Sequence, residues 1–268
     1  MSLSELKKGK KFGTMAGVFT PTFLTILGVI MYIRLPWVVG NAGIIGAVLI
    51  ITVSVVITIT TALSLSSITT NIRIGSGGAF SLISQSLGLE IGGAIGIPFF
   101  FSQAIAVAMY IFGFREGLQS ILPDYNVLLL DMFVFALVML IAFISTSFAF
   151  KIQYVIMAII ILSIGSIVGG LFTNELHYDF TWFGDYVGSK ENNYSGSSFW
   201  IVFAVFFPAV TGVMAGANMS GDLENPRKSI PNGTLSAVII TTIVYLGMVI
   251  VAALLANEQD LVSDYNIF

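Results

Sequence analysis

Charged residues are spread so unevenly along this chain that the gaps between them decide what it can fold into. Asp, Glu, Lys and Arg are absent from seven long stretches, 12–33, 35–72, 91–114, 132–150, 152–174, 192–221 and 229–257. A helix crosses the hydrocarbon core of a bilayer with about 17 to 25 mainly apolar residues, so every gap has room for one span. Trimmed at Gly, Pro and polar ends, the spans are expected at 15–36, 43–69, 89–118, 128–149, 152–172, 198–219 and 235–256. Composition agrees: 56% of the 268 residues are hydrophobic, 9% are charged and the mean hydropathy is +0.96. Soluble domains carry about 25% charge. The expected fold class is all-α, a polytopic membrane protein of about seven transmembrane helices.

The same counts exclude several function classes. Eleven Lys and Arg against fourteen Asp and Glu give a net charge of −3, with no basic excess to hold nucleic acid phosphates. The absence of cysteine removes disulfides, thiolate metal sites and cysteine nucleophiles. The single histidine, His177, falls in a loop, and the spans contain no paired carboxylates for acid–base catalysis, so no enzyme activity is expected.

Positive charge orients the spans, because Lys and Arg are retained on the cytoplasmic side. With the amino terminus inside, Lys7, Lys8, Lys10, Lys11, Arg73, Lys151, Arg227 and Lys228 are all cytoplasmic and only Lys190 lies in an outer loop. Arg34 and Arg115 fall near the outer ends of the first and third spans. The acidic residues Asp124, Glu175, Asp179, Asp185, Glu191, Glu258, Asp260 and Asp264 then fall outside, as does the carboxyl terminus. The basic start followed by apolar residues resembles a signal peptide, but no small-residue cleavage site closes it, and we read it as a retained span. Lys7 to Lys11 also suit anionic lipid head groups, although a stop for translocation is the simpler role. Trp37, Trp182 and Trp200 fall at or beyond the outer interface, where they act as anchors.

Two spans carry helix-breaking residues at mid-membrane. The first has Pro21 and Gly28 around Thr25; the sixth has Pro208, Gly212 and Gly216 around Thr211. Gly and Pro release backbone groups that lipid cannot satisfy, so protein, water or an ion must. Small residues also serve ordinary helix packing. A matched pair of interrupted helices, five spans apart, instead points to a secondary transporter with inverted repeats and a site at the bilayer midplane. No fixed charge lies in either stretch. A cation there has to be held by unwound carbonyls and hydroxyls, and an anion by free backbone amides at half-helix starts; carrying both together limits the net charge in low dielectric.

These residues resemble the cation-chloride cotransporters of the amino acid-polyamine-organocation superfamily. The likeness is carried by Gly28 to Leu35 with Trp37 to Gly40, by Gly77-Gly78-Ala79-Phe80 and by Ala106 to Tyr110. Its longest stretch runs from Phe206-Phe207-Pro208 through Thr211-Gly212, Ala215 to Asn218, Ser220 to Leu223, Pro226, Ile230-Pro231 and Gly233-Thr234. The resemblance implies a five-plus-five inverted-repeat fold with its first and sixth helices discontinuous. It implies a potassium site at Thr25, Ile26, Tyr110, Pro208 and Thr211, one chloride site at Gly28, Val29 and Ile30, and a second at Gly212, Val213 and Met214.

The chain departs from the family pattern where Thr25 stands for an asparagine and Leu27 for a tryptophan. The eighth and tenth helices, which complete a sodium site and the second chloride site, have no counterpart, so sodium coupling is unsupported. No cofactor is expected beyond the transported potassium and chloride. Ten helices form the transport core of that fold. The expected organisation is therefore a cytoplasmic segment 1–13, a first five-helix repeat 14–172, an extracellular loop 173–198 without a core of its own, two helices of a second repeat 199–256, and an extracellular tail 257–268 where the chain is truncated. A second chain supplying the missing helices, or a homo-oligomer, would complete it. The partners are membrane lipids and small inorganic ions.

Other features have plain readings. Gly75-Ser76-Gly77-Gly78 lacks the Gly-Lys-Ser/Thr ending of a phosphate loop and reads as a cytoplasmic connection near an inner gate. Asp222, Glu224, Arg227 and Lys228 form either gate salt bridges or a solvated turn around Pro226. Asn193-Tyr194-Ser195 matches a glycosylation pattern. Tyr110 is a potassium ligand only through the resemblance; by spacing alone it is a packed helix residue. The leading function is coupled potassium and chloride transport by alternating access. The alternatives are an amino acid permease of the same superfamily, against which the bulky Thr25-Ile26-Leu27-Gly28-Val29 stands, and a transport-incompetent membrane scaffold.

Overall fold

Fifty-seven residues, Met15–Asn71, form one nearly continuous apolar helical stretch, roughly 85 Å if straight at 1.5 Å per residue. That is almost three hydrocarbon cores, and the chain breaks it twice. In this computed structural model, which describes residues 11–72, 77–119, 125–144, 146–189, 194–263 and 267–268, a π-helical turn Met15–Phe19 leads into α1 (Thr20–Ile26). Leu27 (φ −85°, ψ 50°) and Gly28 (φ −89°, ψ −165°) interrupt the helix, and α2 (Val29–Asn71) follows. Gly43, at φ 69° and ψ 176°, then turns α2 back on itself, so this one stretch supplies two spans. Among the described residues the elements continue as α3 (Gly78–Leu87), α4 (Leu89–Gln119), α5 (Val127–Ile144) and α6 (Thr146–Gly170). A two-stranded antiparallel pair follows, β1 (Gly188–Ser189) with β2 (Tyr194–Ser195). Next come α7 (Phe199–Phe206), a 3₁₀ turn Phe207–Val210, α8 (Ala215–Asn218), a 3₁₀ turn Ser220–Asp222, α9 (Pro226–Leu255) and α10 (Glu258–Ser263).

Among the described residues five helical stretches are long and apolar enough to cross a membrane, the first of them double, and Val127–Phe143 is a shorter apolar helix. The chain is an all-α, multi-pass integral membrane protein. Lys7, Lys8, Lys10, Arg73, Gly75, Ser76, Asp124, Lys190, Glu191, Asn193 and Asp264, used above for topology, loop or modification, lie outside the described residues.

The core follows from two helical stripes. On α2 the buried positions Ala47, Ile50, Ser54, Thr58, Ala62, Leu65 and Thr69 recur every three or four residues, and on α9 so do Ala237, Thr241, Tyr245, Met248 and Ala252. These stripes pack with α1 and α7 around Ile26, Leu27, Met31, Val202 and Phe206. Their hydroxyls donate to carbonyls one turn back, as Ser54 Oγ to Ile50 O at 2.7 Å and Thr241 Oγ1 to Ala237 O at 2.8 Å, so few polar atoms meet the apolar neighbours unpaired. Backbones approach closely where glycine allows it: a Cβ at Gly233 would meet Val18 Cβ at 2.7 Å.

Three elements differ from the sequence expectation. The segment 173–198 has no core of its own but is stitched to the Gly43 turn. Ile44 N and Ile45 N donate to Thr181 O and Trp182 O at 3.0 Å, Tyr186 N donates to Asn41 O at 3.0 Å, and Gly188 N donates to the buried Asn41 Oδ1 at 2.8 Å. The turn orphans the first amides of the helix that follows it, and this segment supplies their acceptors. The stretch 257–268 contains α10, capped where Asp260 N donates to Asn257 Oδ1 at 2.9 Å and packed through Leu261 on Gly40. The connection before the third span contains α3, ten residues too short to span, flanked by Gly77 (φ 123°) and Gly88 (φ 96°) and seated on α4, where Ser84 packs against Gly92.

Candidate ion-binding site

The second interruption lies in the sixth span. Pro208 has no amide hydrogen to continue the ladder of α7, so the chain tightens into the 3₁₀ turn Phe207–Val210. Thr211 is extended (φ −79°, ψ 172°), and Gly212 sits at φ 107°, which a side chain rarely tolerates. Thr211 closes the turn on Pro208 O twice, through its amide at 3.3 Å and its hydroxyl at 2.7 Å.

The two interruptions face each other. A Cβ on Gly212 would collide with Thr25, meeting its Cγ2 and, at 2.8 Å, its Cβ. Thr25 Oγ1 donates to Pro21 O at 2.7 Å, which commits its hydrogen and leaves its lone pairs outward. Beside this contact opens a cavity of about 630 Å³. Its wall includes Thr25, Tyr110, Pro208, Thr211, Gly212, Val213 and Met214, and among the described residues none that lines it is charged. Tyr110 comes from α4 and is 40% exposed.

The remaining predicted residues lie elsewhere. Ile26 is 2% exposed and stands behind the wall rather than on it. Gly28 has Tyr110 Cε1 3.9 Å from where a Cβ would be. Val29 and Ile30 line a second cavity of about 290 Å³, with Pro208 and Met109 shared between the two. Their amides precede the first hydrogen bond of α2, Met31 N to Gly28 O at 3.1 Å, so they form the positive end of a long helix. Arg34 and Glu116 close one side of this second cavity with an ion pair at 3.2 Å. At the same end Arg115 pairs with Asp131 at 2.8 Å.

Two residues of consequence escaped the sequence reading. Tyr245, fully buried on α9, donates its phenol to Ile26 O at 2.8 Å, with Ala209 O at 3.3 Å. Thr58, buried on α2, shares its one hydroxyl hydrogen between Ser54 O at 3.0 Å and Val210 O at 3.2 Å. Both tie continuous helices to carbonyls of the broken ones. A polar side chain at mid-span on a buried stripe was the signal available for each.

Similarity to known proteins gives the family. The family model for amino acid permeases matches residues 17–267. The chain is 44% identical to solute carrier family 12 member 2 of Squalus acanthias over 252 residues, which is 88% of this chain and 21% of that protein. It is 41% identical to solute carrier family 12 member 2 of Homo sapiens over 262 residues, 92% of this chain and 22% of the relative. It is 40% identical to solute carrier family 12 member 1 of Homo sapiens over 258 residues, 90% and 23% respectively. The chain spans about a fifth of the length of these relatives. The chain thus belongs to the amino acid permease family, and within it the likeness is to the cation-chloride cotransporters of solute carrier family 12.

Proposed function

We propose that this chain carries the ion pathway of a secondary active transporter that moves potassium and chloride together by alternating access. The observation that carries the reading is the apposition of two opened helices, Thr25 against Gly212, beside a charge-free cavity. An alkali cation needs several oxygens and no protonation change. Thr25 Oγ1, the Ile26 carbonyl, Thr211 Oγ1 and the Tyr110 phenol are of that kind, and so is the Pro208 carbonyl once the Thr211 hydroxyl turns from it to the ion. A halide suits the amides that open α2 at Gly28, Val29 and Ile30, and those of Gly212, Val213 and Met214 before α8. Since no fixed charge balances either ion, a cation and an anion travelling together leave the least net charge in the membrane.

The amino terminus lies inside in this proposal, so that the 630 Å³ cavity opens inward and the Arg34–Glu116 pair closes the outer side. The similarity to solute carrier family 12 members supports a cotransport role. The mechanism is written for potassium and chloride alone.

Uptake of radioactive rubidium into vesicles containing the chain and its copurifying subunits tests the reading. Uptake should depend on chloride and should carry no current. A current proportional to flux would overturn neutral coupling, and uptake indifferent to chloride would overturn the coupling itself. The size of the cavity, large enough for a small organic molecule, favours a second reading, an amino acid permease. Saturable uptake of an amino acid in chloride-free buffer would establish that reading instead.

A further inference from the structure

We infer that Tyr245 is the positioning residue of the cation site: from an unbroken helix it holds the Ile26 carbonyl and the Phe207–Val210 turn in one register, and so sets which alkali cation the opening accepts. The inference rests on the proposed reading of Thr25, Ile26, Tyr110, Pro208 and Thr211 as cation ligands and goes beyond it, since Tyr245 is not itself a ligand.

Ile26 is the last residue of α1, and carbonyls in the last turn of a helix have no amide of their own to accept. The neighbouring Phe23 O takes Leu27 N at 2.9 Å, which leaves Ile26 O to be satisfied from outside the helix. Tyr245 does this at 2.8 Å. The phenol has one hydrogen, and Ala209 O at 3.3 Å is a second acceptor within its reach, one residue from Pro208. One side chain thus touches the backbone on both sides of the opening. A carbonyl has two lone pairs, so Ile26 O gives one to the phenol and keeps one for an ion, its direction now fixed.

The support is stiff. α9 runs unbroken from Pro226 to Leu255, Tyr245 is 0% exposed, and its ring lies edge-on to Phe206 at 5.4 Å and 83°. Thr241, Met248 and Ala252 are buried on the same stripe and anchor the helix above and below. Neighbouring alkali cations differ only slightly in radius. A site of carbonyls and hydroxyls separates them through the number and placement of its oxygens, so oxygens free to drift would lose discrimination. Tyr245 supplies the restraint at the point where α1 has lost its own.

Equilibrium binding of radioactive rubidium in chloride buffer, competed with potassium and with sodium, provides the test on the chain with its copurifying subunits. Y245F keeps the ring against Phe206 and removes only the hydroxyl. Rubidium affinity should fall roughly tenfold and the preference for potassium over sodium should narrow by a similar factor. The chloride concentration for half-saturation should stay within about twofold, because the α2 amides do not touch the phenol. Unchanged affinity and selectivity in Y245F would overturn the inference while leaving the ion site intact. So would an equal loss for every cation accompanied by a large fall in melting temperature, the mark of a merely structural tyrosine. Absence of saturable rubidium binding to the unaltered chain would overturn the underlying reading as well. If Y245F fails to accumulate, 3-fluorotyrosine placed at 245 keeps the hydroxyl. Its fluorine resonance should then move on adding rubidium, and a resonance indifferent to rubidium counts against the inference.

Discussion

The bundle of α1, α2, α7 and α9 and the outer row of α4, α5 and α6 are built from equally apolar residues, yet they are packed in opposite ways. Nearly half of the most apolar stretch of α9 is buried, 44%, and none of the corresponding stretch of α6. Phe143, Leu162 and Phe172 are 73–86% exposed. In water such a surface would be a severe liability; against lipid tails it costs little, because a bilayer offers no hydrophobic drive between helices. Burial in the bundle must come from close contact and hydrogen bonding. It is in the bundle that glycine meets Val18 or Thr25, and that Tyr245 and Thr58 grip broken backbone. By contrast, Gly165 and Gly169 on α6 have nothing within 4 Å of where a Cβ would stand. Apolarity places a helix in the membrane, and small residues and hydroxyls decide which helices hold one another there.

Substitutions at glycine break this comparison most sharply. Gly212→Ala should have the largest effect, since the residue sits at φ 107° and its new methyl would enter Thr25. Backbone strain of about 1–2 kcal/mol and overpacking of about 1–3 kcal/mol should abolish saturable rubidium binding and lower the melting temperature. Gly233→Ala should destabilise by about 1–3 kcal/mol through Val18 without touching the proposed ligands, so residual binding should keep its selectivity. Thermal unfolding of the purified chain separates the two.

Smaller changes sharpen the picture. Thr58→Val removes the donor to Val210 O, and interhelical bonds of this kind in membranes are worth about 0.6 kcal/mol, so stability should barely move while rubidium affinity falls severalfold. Glu116→Gln breaks a half-exposed ion pair worth less than about 1 kcal/mol, but it should open the 290 Å³ cavity. Because the chain has no cysteine, a single V205C reporter in that cavity should react faster with a membrane-impermeant thiol reagent when Glu116 is changed. Gly165→Ala should be neutral or stabilise by at most about 1 kcal/mol, and a marked loss there would mean that α6 is packed against something.

The charge-free gaps marked apolar helices because a bilayer leaves an apolar stretch of that length almost no other fold, although the gap 132–150 holds only the shorter apolar helix Val127–Phe143. Pro208 and Gly212 marked the sixth-span interruption for the same reason: one lacks an amide and the other occupies a backbone region closed to side chains. The first-span interruption was legible at Gly28 but not at Pro21, which lies where the π-helical turn Met15–Phe19 passes into α1 and does not break the helix. The bend at Gly43 was expected only as a gap between spans; its docking to 181–188 depends on residues some 140 positions away. α3 and α10 are too short for a charge-gap measure to register.

The order of charges and breakers along the chain by itself determined that this protein is membrane-spanning and helical, and that two of its helices open near Thr25 and Thr211. Each of those outcomes is local, forced by lipid acting on a short stretch of residues. Tertiary structure alone decided that the two openings meet, that the Ile26 carbonyl finds Tyr245, and that Arg34 finds Glu116. Those pairings join residues 82 to 219 positions apart, and no local pattern specifies a partner at that distance.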